Sequence, residues 1–204
     1  MDIIGKISNH IGEIIGNEMN HDDDQKEVIK YGVFVGLQIV YSIIACFVVG
    51  LVFGMLKEIL IVSFSSSILR KYSGGTHASS LNRCVIIGTI AFALMALSMK
   101  YILLDLHMKV CVVGIIFIYA YLLIYKRAPV DTGTKRIKNE IKRKKLRNKS
   151  LALLCIYAII TIIYINNNIS TGITMGVAFQ IFTLTKIGHV ILSKIDESLS
   201  NIIN

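Results

Sequence analysis

The sequence predicts an all-α polytopic membrane protein, and three observations predict it. Of 204 residues 54% are hydrophobic, and the mean hydropathy of +0.65 leaves more apolar surface than a soluble domain can hide. Tyr31 to Leu56 contains no charged residue and Val110 to Tyr125 is comparably apolar; a helix of about 20 such residues crosses a bilayer. The runs are continuously apolar instead of alternating, which argues against a β-barrel. About six transmembrane helices are expected. The alternative is four plus two irregular or re-entrant segments. In either case residues 1–204 read as one membrane-embedded domain.

Residues 1–25 form the first element. Isoleucines at 3, 4, 7, 11, 14 and 15 make one apolar stripe on a helix, which suits an amphipathic helix at the membrane interface or one docked on the protein's own core. His21 with Asp22-Asp23-Asp24 reads as a solvated linker, because four adjacent side chains point in different directions. No metal site and no cofactor are expected, since no phosphate loop, HExxH or nucleotide fingerprint occurs. The first span follows at Tyr31 to Leu56. Ile59 to Leu69 is too short to span unaided, so a helix over Gly54 to Tyr72 competes with a re-entrant segment.

Cys84 to about Leu104 then crosses outward, a turn falls near Asp105, His107 and Lys109, and Val110 to Tyr125 crosses back. Leu151 to Ile165 exits again. Asn166 to Ser170 turns, and Gly172 to Gly188 returns. From His189 the pattern Val190, Ile191, Ile195, Leu199, Ile202 is again amphipathic and suits the membrane face. Cys46, Cys111 and Cys155 sit inside apolar runs and read as packing residues.

The charge is concentrated. Lys126 to Lys149 holds eleven Lys/Arg against Asp131 and Glu140, and this local excess equals the formal +9 of the whole chain. Arg70, Lys71 and Arg83 add three cations and no acid in the 70–84 loop. Short basic loops stay in the cytoplasm, so both are expected to face inward. The 126–149 segment, with Lys135, Arg136, Lys142, Arg143, Lys144 and Lys145, serves equally as an anchor on anionic lipid or as a dock for an acidic peptide. It has no aromatic platform for reading bases, so no nucleic-acid partner is expected.

The chemistry concentrates in Arg70-Lys71-Tyr72-Ser73-Gly74-Gly75-Thr76-His77, with Cys84 seven residues further on. A thiol nucleophile needs a base, and His77 is the nearest imidazole. On one straight helix the two would stand about 10 Å apart along the axis, beyond the reach of about 3 Å that proton transfer needs. The two glycines disfavour a helix there. Ser73 to about Ser79 is therefore expected to bend His77 back over Cys84. Cys84 then falls in the first turn of the next helix, with Ser80 or Asn82 as N-cap. The helix N-terminus, Arg83 and Arg70 would all favour the thiolate. Asp131 is a candidate to orient the imidazole, though a capping role for its turn is as good an explanation; Asn82 and Gln38 are weaker candidates. A surface histidine beside a chance cysteine is the bland alternative.

Arg70-x-x-x-Gly74-Gly75-x-His77-Ala78, then Cys84 opening an apolar helix, resembles the accessory gene regulator B family, AgrB. Ala128-Pro129-Val130-Asp131-Thr132 before Lys135-Arg136 resembles a second family hallmark, although Ile137 stands where the family often has proline. The resemblance implies a bacterial membrane cysteine endopeptidase. Its partner would be an AgrD-type propeptide with an amphipathic leader and an acidic tail, which it trims and helps to cyclise for quorum sensing. It implies a homodimer, His77 and Cys84 as catalytic residues, and supporting roles for Arg70 and Gly75. A small peptide transporter is disfavoured, because only Gln38 and Gln180 are clearly polar within the apolar runs. A non-enzymatic membrane scaffold is the third reading.

Overall fold

The computed structural model describes residues 3–76, 78–102, 104–130 and 139–201. Eight helices run through them: α1 (Ile3–Glu18), α2 (Asp23–Val52), α3 (Leu56–Ser73), α4 (Leu81–Ser98), α5 (Leu106–Arg127), α6 (Glu140–Ile163), α7 (Asn168–Thr183) and α8 (Lys186–Ser200). The chain forms two compact units, Met1–Ala45 and Cys46–Asn204.

In the first unit α1 turns back along the start of α2. The stretch expected as a solvated linker is exposed at Asp22, Asp23 and Asp24 and also opens α2: the Gln25 amide N–H donates to Asp22 Oδ1 at 2.8 Å, and the Asp22 N–H to Gln25 Oε1 at 3.4 Å. This reciprocal pairing satisfies N–H groups that a helix start leaves open. Ser8, Gly12 and Gly16, four residues apart, are buried. A Cβ on Gly12 would stand 2.8 Å from the Lys30 Cα, so the two helices approach as closely as glycine allows. Glu13 and Lys30 close the contact with a 3.0 Å ion pair. Ile7, Ile14 and Ile15 remain exposed. The helix thus docks on α2 by small residues and leaves much of its isoleucine stripe exposed.

The second unit is built on α3 and α7. Ten of the sixteen residues of α7 are buried. A Cβ on Gly176 would meet the Val62 carbonyl oxygen at 2.7 Å and the Ser66 nitrogen at 3.1 Å, and one on Gly172 would meet Ile61 at 2.7 Å. The Gly-x-x-x-Gly spacing places both gaps on one face, where Ile61 meets Gly172 and Val62, Ser65 and Ser66 meet Gly176. Around this pair, Leu69, Phe117, Ile124, Leu154, Val177 and Ile181 from α3, α5, α6 and α7 make the main core. Cys46, Met55, Ile59 and Ala96 form a smaller cluster.

Among the described residues, four helices, α2, α4, α5 and α6, are long and apolar enough to cross a membrane, or five spans if α7 and α8 count as one pair bent by 86°. This is roughly consistent with the expectation of about six. Segment 56–73 is one unbroken helix rather than an irregular one. It tolerates the serines that shorten its apolar core because Ser63, Ser65 and Ser66 face protein instead of lipid. Residues 140–149, expected within a loop, are the first turns of α6, capped by Asn139, whose side chain accepts from the Ile141 and Lys142 amides. Cys46 is buried as expected. Cys111 and Cys155, expected to pack, are exposed on α5 and α6, where a small thiol meets lipid at little cost.

Gly176→Leu is expected to destabilise the protein by about 1–3 kcal/mol through overpacking, read as a lower melting temperature in detergent. Gly114→Ala, where an added Cβ meets nothing within 4 Å, should leave melting unchanged or raise it.

Candidate active site

Helix α3 ends where the glycines begin. Ser73 is fully buried and its hydroxyl donates back to the Leu69 carbonyl at 2.9 Å. Gly74 and Gly75 then take φ of +71° and +140°, conformations that side chains resist. The reason lies in what packs against them. Gly74 forms a parallel bridge to Val130, whose N–H donates to the Ser73 carbonyl at 3.0 Å. A Cβ on Gly74 would stand 2.2 Å from the Val130 oxygen, and one on Gly75 would stand 2.7 Å from Thr183 Oγ1. The Gln180 amide donates to Ser73 Oγ at 2.9 Å and to the Gly74 carbonyl at 2.7 Å. Thr76 Oγ1 donates to the Thr183 carbonyl at 3.3 Å and shares a 3.0 Å hydrogen bond with His189 Nδ1. The expected non-helical turn is present, with Ser80 at the N-cap position of α4, although its side chain makes no cap bond.

Cys84 lies in the first turn of α4, half-buried, its N–H bonded to the Ser80 carbonyl at 2.9 Å. It lines a cavity of about 30 Å³ with Arg70, Thr76, Ala78, Phe179 and Leu192 among the other walls. The residues on both sides of position 77 therefore face the same cavity as the thiol. His77 itself lies outside the described residues, as do Asp131, Lys135 and Arg136. Arg70 reaches across the turn to donate to the Thr76 carbonyl. Gln38 belongs to the first unit. Among the described residues no three His, Cys, Asp or Glu side chains converge as a metal site would require.

The segment before Cys84 is held from α8. Ser79 donates to Asp196 Oδ2 from its N–H at 2.9 Å and its hydroxyl at 2.6 Å, and Arg83 Nε donates to Asp196 Oδ1 at 2.7 Å. Burial pushes the Asp196 carboxyl up, but these bonds and the Arg83 charge outweigh it and hold the group below its ordinary value. Because α8 turns 86° from α7, it crosses this end of the unit instead of continuing the line of α7.

Basic residues gather at the same end. Arg127 donates to the Leu184 carbonyl at 3.0 Å, Arg143 to the Pro129 carbonyl at 3.1 Å, and Arg147 lies 5.2 Å from the Tyr125 ring centre. Lys142, Lys144 and Lys145 are exposed. Of the candidate docking residues, Arg143 is thus occupied in holding the Pro129 turn.

Sequence reasoning missed Gln180, Thr183, Ser79 and Asp196 as parts of this site. Gln180 carried a signal: an amide in an apolar run must find a partner within the protein. Asp196 carried none, since one acid on an amphipathic helix looks like an ordinary surface residue.

A multi-pass helical membrane protein with a cysteine at a helix start, under a glycine turn, is the class that fold and site define. The family model for Accessory gene regulator B matches residues 6–184, and the chain belongs to that family. It is 38% identical to an AgrB-like protein of Clostridium perfringens (strain SM101), over 95% of this chain and 97% of that one. The same figures hold for AgrB-like protein 2 of Clostridium perfringens strain 13. An AgrB-like protein of Clostridium acetobutylicum is 24% identical over 90% of this chain and 88% of that one. No solved structure matches the chain. Family membership supports a role in processing an agr quorum-sensing propeptide.

Gly75→Ala is expected to cost about 1–3 kcal/mol through strain and contact with Thr183. Adding Thr183→Ala should recover part of that loss in melting temperature. Gly74→Ala should have no comparable side-chain relief, because its clash is with the Val130 backbone.

Proposed function

We propose that the protein is a membrane cysteine endopeptidase that removes the tail of an AgrD-type propeptide through a thioester on Cys84 and promotes cyclisation. The observation that supports this most is the shared cavity of Cys84, Thr76, Ala78 and Arg70, on a chain of the Accessory gene regulator B family. His77 takes the thiol proton, and the thiolate attacks the carbonyl before the acidic tail. The C–N bond breaks, the tail leaves with the proton from His77, and a peptidyl thioester remains. A thiol or hydroxyl within the substrate then attacks this thioester, giving a thiolactone or lactone and restoring the Cys84 thiol.

Exchanging an amide for a thioester is uphill, so loss or tight binding of the tail must draw the step forward. Ring closure to a thiolactone exchanges one thioester for another and is nearly even in energy. Its intramolecular nucleophile has an effective concentration of up to about 10⁵ M or more. Water is the competitor. A site at the lipid boundary that excludes water while the thioester stands favours cyclisation over hydrolysis. The reading includes a homodimer in contact with membrane lipid and a site facing the cytoplasm, on the side favoured by the basic residues. Exposed Lys142, Lys144 and Lys145 suit an acidic tail through charge complementarity.

Co-expression with the propeptide, followed by mass spectrometry, tests the chemistry. Cys84→Ser should keep the protein in the membrane and abolish tail removal, and His77→Ala should reduce it at least a hundredfold; normal processing by Cys84→Ser ends the peptidase reading. Replacing Lys142, Lys144 and Lys145 by Gln should weaken propeptide binding several-fold at low salt and little at high salt. Unchanged low-salt binding removes the docking role while leaving the chemistry intact.

A further inference from the structure

We propose that Asp196 is a positioning residue for the Cys84 site and that α8 is the fixed wall of its cavity. The inference rests on the reading of Cys84 as the reacting thiol and names what holds the loop beside it. Helix α8 lies beyond residues 6–184 matched by the family model.

The inner face of α8 shows three residues at successive turns, Gly188, Leu192 and Asp196, all wholly or partly buried. Leu192 lines the Cys84 cavity. One turn on, Asp196 accepts from Ser79 and Arg83, the residues five and one before Cys84, through three donors at 2.6–2.9 Å. Arg83 also donates to Ser79 Oγ at 2.7 Å, so carboxylate, guanidinium and hydroxyl close a small network. Both charged side chains are nearly buried, at 14% and 13% exposure. Such a pair fixes geometry firmly, since freeing either partner strands a charge. A second tie lies at the near end of the helix, where His189 meets Thr76. Thr76 and Ser79 are therefore both tied to α8, and Ala78 and Leu192 line the Cys84 cavity between the two ties.

Alkylation of the full-length protein in native membranes tests this without any substrate. With exposed Cys111 and Cys155 replaced by Ser, N-ethylmaleimide reports Cys84 and, as an internal control, Cys46 in its separate buried cluster. Asp196→Ala is expected to raise the Cys84 rate at least threefold with the Cys46 rate unchanged, and Asp196→Glu to remain within threefold of the parent. A rise below threefold for Asp196→Ala overturns the proposal, as does a parallel rise at Cys46, which would mark general loosening. If Asp196→Ala does not accumulate, Asp196→Asn carries the same threshold. Wild-type propeptide processing, measured alongside, separates the two readings. Processing with unmoved labelling sinks the wall proposal alone, and absent processing with the expected labelling sinks the peptidase alone.

Discussion

A chain that leaves its helix inside a membrane protein must find its backbone hydrogen bonds within the protein. Here that happens after Ser73, and the site depends on how it is solved. The Val130 N–H takes the Ser73 carbonyl, and the Gln180 amide takes both Ser73 Oγ and the Gly74 carbonyl. Those partners come from the end of α5 and from α7, so the turn exists only if both helices arrive in register. The Gly172–Gly176 face sets that register for α7 by letting α3 approach to backbone contact. A small-residue seam in the middle of the unit thereby fixes the position of a thiol at its end.

Much of this was legible in the sequence, because lipid imposes simple rules. Uncharged runs marked α2, α4, α5 and α6 as spans, and the paired glycines marked the break before Cys84. Legibility failed where one rule has two physical causes. The isoleucine stripe of α1 and the Val190, Ile191, Ile195 stripe of α8 suggested how those helices lie, but the exposed isoleucines do not mark the protein-facing surfaces. In water an apolar stripe usually faces protein; beside a membrane it can face lipid, and small or polar residues then make the protein contact. Ser8, Gly12 and Gly16 on α1 and Gly188 with Asp196 on α8 follow that pattern. The segment read as a basic loop failed for another reason: lysine and arginine are good helix formers, so the run of charge did not show that α6 begins at Glu140.

The division of labour among the cations also escapes a count of charge. Arg70, Arg83, Arg127, Arg143 and Arg147 each hold a carbonyl, a carboxylate or a ring at the site end of the second unit. Guanidinium suits that work, with several donors in a fixed plane and weak hydration. Lys142, Lys144 and Lys145 reach into the surroundings instead; their compact, well-hydrated charges act at longer range with little geometric demand. Among the described residues, these arginines make contacts that assemble this end of the unit, while the three exposed lysines give it an outward positive field. Loss of an arginine contact should change the site's shape, whereas loss of an exposed lysine should change only how an acidic partner is attracted. Treating the segment as one basic patch would conceal that difference.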